Sequence, residues 1–281
     1  MIETINLNDW VESGGGARGI SYFHKDDPTL MVKMSNMDIP IESWEREIFN
    51  SQMVYDLGLP TPKPGTIVTD GKRYGLMYQR IQDKVSYARA VGESSDEEID
   101  ALGKSFAQVV KQLHSTVCKK EGVRNIKDFV RKGIRDNKYH SEATKESLLR
   151  LLNTLPDDDK GIHGDLHFGN VIMAKGKSYM IDLDNFSYGY YKFDMAMFVI
   201  ISRMNDVFSE EANKEIFHCT HEQTIRFYQS YLNSYFGKPI DIKAWEDELA
   251  PYVAMRIMSM ENEVGKPFPR IGLKAFEYIK D

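Results

Sequence analysis

Two short stretches of the sequence concentrate polar side chains of the kinds that bind cations and move protons. They read GIHGDLHFGN at residues 161–170 and MIDLDN at residues 180–185. The apolar runs between them predict a β-hairpin, and antiparallel pairing would bring Asn170 beside Asp182. Mg2+ takes one or two protein oxygens and fills its other positions with water and phosphates. The spacing therefore predicts a magnesium site formed by Asn170 and Asp182.

A third acid lies on the loop that enters this hairpin. Asp165 precedes Asn170 by five residues, and its carboxylate could accept a proton from a substrate hydroxyl near the metal. The order H-x-D-x-x-x-x-N, followed by an Asp on a strand, is the arrangement by which kinases orient an acceptor and hold magnesium on phosphates. We therefore predict that Asp165 is the catalytic residue of a phosphotransferase. Asp184, two residues after Asp182, is a weaker candidate for a second metal.

A kinase also needs an amine that holds the phosphates, and the early part of the chain offers one. Lys33 lies inside the apolar strand LMVKM, and Glu47 follows 14 residues later on a predicted helix. A Lys–Glu pair of this kind aligns the ammonium on the phosphates. Glu42 and Glu45 are competing partners that helix geometry alone does not exclude, and Glu47 is preferred because it neighbours apolar positions. An outward-facing strand lysine is the simpler interpretation of Lys33.

Three glycines near the start of the chain form a G-x-G-x-x-G pattern, namely Gly14, Gly16 and Gly19. Before a helix this pattern would indicate a dinucleotide fold. Here a strand follows, which favours a flexible hairpin that covers phosphates. An ordinary glycine-rich turn is the competing interpretation.

The elements that must position these residues divide the chain into two parts. Strand-like runs and one helix fill residues 1–80, which we interpret as a nucleotide-binding lobe. Residues 81–281 are interpreted as a larger, mostly helical lobe that carries the catalytic and substrate-binding residues. Its one strand-like island, 169–183, contains the hairpin. Helices are predicted at 125–137, 141–155, 192–206, 211–236 and 242–262.

Composition excludes several classes of protein. With 42% apolar and 28% charged residues, the chain of 281 residues is typical of a globular protein with a real core. A net charge of −6 argues against a nucleic-acid binder. Two cysteines imply no disulfide framework. The polar stretch MIETINLNDW and the shortness of the longest apolar run, MAMFVII, lead us to expect neither a secretory signal nor a membrane-spanning segment. We expect a cytoplasmic protein without nucleic-acid or membrane partners.

The quoted motifs resemble those of a known family. HGDLHFGNVI and MIDLDN look like the signature of the aminoglycoside phosphotransferase and choline kinase-like family, which is related to protein kinases. Gly164 stands where protein kinases usually carry arginine. REIFNSQMVYDLGLPTPKP is similar to the family's lysine-partner helix, with Glu47 at the paired glutamate. FDMAMF at 193–198 is similar to the stretch after the metal aspartate. The resemblance covers most of residues 10–205.

This resemblance implies an α+β, two-lobed protein-kinase-like fold with a small N-terminal antiparallel sheet, one helix and a larger helical lobe. It implies ATP or GTP as donor and Mg2+ as cofactor, and it implies that Asp194 holds the catalytic loop. His163 is expected to brace that loop, and His114 is assigned no role. Residues 206–281 match only as a helical tail, which in this family helps to form the acceptor pocket. An aminoglycoside is the first hypothesis for the acceptor, with choline-like alcohols, sugars and amino-acid alcohols as alternatives.

Other functions remain open from the sequence. His163, Asp165 and His167 alternate, so an extended strand would present all three to zinc, as in a metal-dependent hydrolase. That interpretation explains neither the predicted magnesium ligands nor the Lys–Glu pair. A non-catalytic nucleotide-binding or partner-binding module on the same fold is a second alternative. A kinase whose acceptor is a protein side chain is a third.

Overall fold

A computed structural model describes residues 2–15, 19–36, 39–204 and 208–279. The chain folds into two compact units, and each is described separately below. The first comprises Met1–Val85 and Val171–Asn185, and the second comprises Ser86–Asn170 and Phe186–Asp281. The units differ from the predicted boundary at residue 80 chiefly because the hairpin region joins the first unit. The assignment of a nucleotide-binding and a catalytic lobe stays a prediction.

The first unit is built on a six-stranded sheet and one helix. The sheet order is β1-β5-β6-β4-β3-β2. The elements are β1 (Glu3–Thr4), β2 (Trp10–Gly15), β3 (Gly19–His24), β4 (Leu30–Ser35), α1 (Ile41–Asp56), β5 (Pro64–Thr69) and β6 (Tyr74–Gln79). The sequence predicts an antiparallel sheet, and the structure departs from this at one strand pair, since β1 runs parallel to β5. A parallel pair needs a long crossover, which three strands and α1 supply here.

Helix α1 buries polar as well as apolar residues on one of its faces. It begins directly after Pro40, and it ends at Asp56, two residues before Gly58, whose φ is +71°. Trp44, Glu47 and Val54 are buried at the spacing of one helix face. The helix packs on β5 and β6 with this face.

The predicted hairpin is present in the first unit. Strands β9 (Val171–Ala174) and β10 (Lys177–Met180) pair antiparallel, with Val171 opposite Met180. A short strand, β7 (Val85–Ser86), lies where the chain passes between units, and β8 (Gly161–Ile162) belongs to the second unit.

The second unit is mostly helical. Besides β8 and the strand that pairs with it, β11 (Ser187–Tyr188), it contains helices α2 (Tyr87–Glu93), α3 (Asp96–Ser115), α4 (Ile126–Asp136), α5 (Glu142–Thr154), α6 (Lys192–Met204), α7 (Glu210–Phe217), α8 (His221–Phe236) and α9 (Ile242–Val264). In its core the ring of Phe106 contacts those of Phe198, Phe227 and Tyr231 at centroid distances of 5.8, 5.4 and 5.1 Å. Within the described ranges, no helix is both long and apolar enough to cross a membrane.

The single helix predicted at 211–236 is wrong, because the structure has two. His218 adopts a φ of +62°, which ends α7. Thr220 then caps α8, since its hydroxyl accepts from the backbone of Gln223 while the Gln223 side chain accepts from the backbone of Thr220. The apolar spacing continues across the break, so periodicity alone does not reveal it.

Candidate active site

Lys33 lies between two carboxylates of the first unit. Its ammonium nitrogen is 3.1 Å from Oε1 of Glu47 on α1 and 2.6 Å from Oδ1 of Asp182, two residues after β10. Of the three glutamates that the sequence offers, Glu47 is the one that makes this contact. Glu42 and Glu45 are exposed. Two residues fourteen positions apart, a lysine on a strand and a buried glutamate on a helix, thus form an ion pair.

Charge and burial act against each other at this cluster. Burial tends to lower the pKa of Lys33, but the charges of Asp182 and Glu47 outweigh it and raise that pKa. Burial raises the pKa of Glu47, opposed by Lys33 and reinforced by Asp182. The Tyr78 hydroxyl donates to Glu47 Oε1 at 2.8 Å. With both acids ionised, two carboxylates flank one ammonium, so the cluster carries a net negative charge.

The segment that carries Asp182 is anchored by residues that the sequence analysis did not identify. Asn50 donates from Nδ2 to the carbonyls of Leu183 at 2.9 Å and Asp184 at 3.1 Å. Thr61 donates to the carbonyl of Met180 at 3.0 Å. Asp182 itself has a φ of +58°, a conformation that asparagine and aspartate tolerate better than most residues. The only signal in the sequence is that Asn50 follows Glu47 by three residues on one helix face.

In the second unit, Asp165 and Asn170 contact each other. Nδ2 of Asn170 donates to the Asp165 carbonyl at 3.0 Å and to Asp165 Oδ2 at 3.1 Å. These bonds engage the amide nitrogen, so the amide oxygen is the atom of Asn170 that is suited to a cation. The side chain of Asp165 keeps 35% of its surface exposed.

Asp194 holds the loop that leads to Asp165. Its buried carboxylate accepts from the backbone nitrogens of His163 at 2.7 Å and Gly164 at 2.8 Å. Nε2 of His114 lies 3.1 Å from Asp194 Oδ2, and Nδ1 of the same ring lies 2.9 Å from the Tyr235 hydroxyl. His114, to which the sequence analysis assigned no role, therefore orients the carboxylate of Asp194. This carboxylate in turn holds the loop.

Arg256 of α9 contacts the same loop. It is 2% exposed, and its Nη2 donates to the Gly164 carbonyl at 2.8 Å. Its guanidinium lies 5.1 Å from the centroid of Phe129, and burial lowers the pKa of Arg256. Among the described residues, Nε and Nη1 of Arg256 have no hydrogen-bond partner. The sequence offers one signal, a single arginine in the apolar helical run YVAMRIMSM.

The histidines of the loop contact its own backbone. Nδ1 of His163 accepts from the Asp165 nitrogen at 3.4 Å, and Nδ1 of His167 accepts from the Gly169 nitrogen at 3.0 Å. The bracing expected of His163 is present. Strand β8 ends at Ile162, so the loop is not the extended strand that the hydrolase alternative needs. Across the described ranges, no group of three His, Cys, Asp or Glu side chains could hold a metal ion.

Two of the three glycines of the G-x-G-x-x-G pattern lie within the described residues. Gly14 ends a register shift in β2 and has a φ of +151°, which favours glycine. A Cβ on Gly19 would lie 2.7 Å from the Met34 carbonyl, so close packing of β3 on β4 requires a glycine there. Gly16 lies outside the described residues. A role of these glycines over phosphates stays a prediction.

The predicted magnesium ligands belong to different units, Asn170 to the second and Asp182 to the first. Their convergence on one ion, which the hairpin spacing predicts, stays a prediction. The roles assigned to Lys33, Glu47 and Asp165 stay predictions as well.

The β-sheet unit with its partly buried Lys–Glu pair and the larger helical unit define an α+β fold of the protein-kinase-like class. A family model described as "Phosphotransferase enzyme family" matches residues 12–240. The chain therefore belongs to this family, and the resemblance to aminoglycoside phosphotransferases and choline kinases is confirmed.

Individual relatives are distant. A methylthioribose kinase of Bacillus cereus is 23% identical over 99 residues, which are 35% of this chain and 25% of the relative. The chain thus matches a quarter of that relative's length.

Solved structures are similar in fold. The amicoumacin kinase hAmiN, in complex with AMP-PNP, Ca2+ and Ami, has a TM-score of 0.58 at 15% identity, covering 94% of this chain and 82% of that one. Choline kinase LicA of Streptococcus pneumoniae has a TM-score of 0.56 at 16% identity, covering 94% and 89%. An aminoglycoside phosphotransferase of Streptomyces rimosus has a TM-score of 0.55 at 14% identity, covering 89% and 92%.

Proposed function

We propose that this protein moves the γ-phosphate of ATP or GTP to a hydroxyl group of a small molecule in the cytoplasm, with Mg2+ as cofactor. The observation that carries the proposal is the position of Lys33 between the carboxylates of Glu47 and Asp182, at 3.1 and 2.6 Å. A lysine paired with a helix glutamate is the phosphate-holding arrangement of kinases.

The phosphate-holding role falls to Lys33. The pairing with Glu47 fixes its ammonium, and the raised pKa keeps that ammonium charged at neutral pH. Asp182 shares the same ammonium, so nucleotide binding would loosen this contact and let Lys33 turn to the phosphates.

The donor set suits magnesium. Asn170 offers an amide oxygen, and Asp182 offers a carboxylate that is 43% exposed. With Glu47 also ionised, the cluster to which Asp182 belongs carries a net negative charge. Hard oxygen ligands in this number leave room for water and phosphates. When bound, Mg2+ would neutralise charge that develops on the transferred phosphoryl group.

Asp165 would orient the acceptor hydroxyl and take its proton. Asn170 fixes its carboxylate through Oδ2, while Asp194 and Arg256 hold the backbone nitrogen and carbonyl of the preceding residue, Gly164. Phosphoryl transfer depends mainly on positioning and charge stabilisation, so the proton moves late.

The acceptor hypothesis follows the family. The similar structures are those of an amicoumacin kinase, a choline kinase and an aminoglycoside phosphotransferase. We infer a small hydroxylated acceptor, with an aminoglycoside as the first hypothesis.

The test is a screen of ATP and GTP consumption over aminoglycosides and hydroxylated metabolites with Mg2+ present. We expect at least one acceptor to be phosphorylated, and we expect Asp165→Asn to bind nucleotide normally while turnover falls by about 100-fold or more, as for removal of a general base. Transfer at the parent rate in Asp165→Asn would exclude the assignment. Nucleotide binding without any transfer would instead support the non-catalytic module.

Metal removal separates the proposal from the hydrolase alternative. We expect depletion of Mg2+ to abolish transfer, because the phosphate charges then lose their counterion. A zinc-selective chelator should leave the rate unchanged. The opposite pattern would favour the zinc enzyme.

A further inference from the structure

Lys192, the first residue of α6, points its ammonium into a cluster of aromatic rings in the second unit. Its nitrogen lies 5.6 Å from the ring centroid of Trp245 and 5.9 Å from those of Tyr190 and Tyr252. The same nitrogen forms an ion pair with Glu248 of α9. We call these three rings and the Glu248 carboxylate the aromatic cage.

The aromatic cage has the composition of a cation-binding site. Ammonium groups are attracted to the faces of Trp and Tyr rings within about 6 Å, and methylated ammonium ions are bound in this way. Burial, with the nearby Tyr190 and Glu248, raises the pKa of Tyr252 to about 12, so this phenol is neutral at physiological pH. The negative charge of the cage therefore comes from Glu248.

The chain fills the cage with its own cation. The side chain of Lys192 is 13% exposed, so its ammonium occupies the space that a ligand cation would need. A tethered group competes at a high effective concentration, of the order of millimolar or more. A soluble ammonium ion must therefore displace Lys192 before it can contact the rings.

Three of the four members of the cage lie on α9, the helix that contacts the loop before Asp165. Trp245, Glu248 and Tyr252 follow one another at spacings of three and four residues on α9, and Arg256 comes one turn later. Arg256 contacts the carbonyl of Gly164, the residue before Asp165. This places the cage on the same stripe of α9 that reaches the predicted acceptor side.

We propose that the aromatic cage is a cation site closed by Lys192, and that this residue excludes alcohols with a quaternary ammonium group from the acceptor pocket. The consequence for acceptors rests on the proposed function, whereas closure of the cage does not. Lys192 is then a specificity-determining residue.

The test compares choline with its uncharged isostere 3,3-dimethylbutan-1-ol, without nucleotide, in titration calorimetry and in proton NMR of the methyl signal. We expect the parent protein to bind neither. Lys192→Ala should bind choline at least about tenfold more tightly than the parent does, with an upfield methyl shift from the rings, and should gain nothing for the isostere.

Four further variants sharpen the result. Lys192→Met should stay closed, because its side chain still fills the cage. Lys243→Ala removes another lysine with an acidic partner, Asp247, and should behave as the parent. If Lys192→Ala does not fold, Lys192→Ser is used in its place. Glu248→Gln in the Lys192→Ala background should weaken choline binding again.

The proposal is overturned when the parent binds choline as tightly as Lys192→Ala does, or when a folded Lys192→Ala binds no choline. An equal gain for the isostere would show an apolar cavity and would also overturn it. Phosphorylation of choline by the parent would contradict the exclusion while supporting the proposed function. If the protein has no kinase activity, the proposed function is wrong, but the choline binding expected of the parent and the variants is the same.

Discussion

At the residue scale, the backbone of Gly164 is held at both its nitrogen and its carbonyl. Its nitrogen donates to Asp194, and its carbonyl accepts from Arg256. Gly164 itself has a φ of +82°, so the loop bends sharply just before Asp165. Two buried charges of opposite sign thus fix the two peptide groups that flank the Cα of Gly164, directly before the predicted catalytic residue.

Arg256 illustrates a residue whose removal should separate stability from activity. Burying a guanidinium with two unpartnered nitrogens costs free energy, and an apolar side chain of similar size avoids that cost, although it leaves the Gly164 carbonyl without its donor. These effects oppose each other, so we expect the melting temperature of Arg256→Met to stay close to that of the parent. Amides 163–165 should exchange hydrogen faster, and turnover should fall by about tenfold, equivalent to about 1.4 kcal/mol.

Thermal melting, hydrogen-exchange mass spectrometry and the consumption assay measure these effects. Arg256→Lys keeps a donor and a charge and should recover part of the loop protection. If the variant melts much lower than the parent while hydrogen exchange of amides 163–165 is unchanged, Arg256 contributes to the packing of the core and not to the position of the loop.

Asp182 allows a sharp test of metal binding. Asp182→Ala should weaken Mg2+-nucleotide binding by about tenfold or more, because the predicted carboxylate ligand of the metal is lost. Titration calorimetry with a non-hydrolysable nucleotide measures this. Asp184→Ala, two residues away, is the matched control and should have the smaller effect. Unchanged affinity in Asp182→Ala would contradict the metal assignment.

At the element scale, helices α3 and α8 approach closely where α3 has a glycine. A Cβ on Gly103 would lie 2.7 Å from the Ser230 Cβ and 2.8 Å from the Tyr231 nitrogen. One of these neighbours is backbone, so it cannot turn away as a flexible side chain would. The contact between the two helices therefore depends on the missing methyl group.

Gly103→Ala should destabilise the protein although alanine favours helices by about 1 kcal/mol over glycine. Overpacking at such a contact costs about 1–3 kcal/mol. The free energy of unfolding in urea measures the balance, and Lys104→Ala, exposed on the same helix, should change it little. A more stable Gly103→Ala would show that α8 shifts without cost.

At the scale of the whole molecule, the two cysteines report on folding of the second unit. Cys118 and Cys219 are fully buried, and burial raises the pKa of each thiol to about 11. An unfolded thiol ionises near pH 8.5. Each folded-state pKa is raised, so the stability it contributes is complete below that pH and is lost as the pH rises towards 11.

We expect both thiols to resist a thiol reagent at pH 8 in the native protein and to react on unfolding in urea. The free energy of unfolding should fall between pH 8 and 9.5 more steeply in the parent than in the Cys118→Ala, Cys219→Ala double variant. Rapid modification of the native protein would contradict the burial. If the free energy of unfolding falls equally steeply with pH in the parent and in the double variant, titratable groups other than the two thiols cause the pH dependence.

The sequence was sufficient for the fold class and for several local features. The hairpin at 171–180 follows from the spacing of two strand-like runs, and the α+β kinase-like fold follows from the resemblance of the motifs to a known family. The pairing of Lys33 with Glu47 is the preferred one of three pairings that the sequence leaves open. Contacts that join distant segments carry no such signal. His114 and Asp194 are 80 residues apart, Gly164 and Arg256 are 92 apart, and Asn50 lies 133 residues from Leu183.

Strand β1 has a consequence for handling the protein. Its two residues, with the hydrogen bond from the Ile5 nitrogen to the Thr69 carbonyl at 2.8 Å, cover one side of β5. A chain shortened past Ile5 would leave the amide and carbonyl groups of β5 open to other molecules. Such uncovered strands recruit further strands, so the shortened protein should self-associate and precipitate at concentrations where the longer chain stays dispersed.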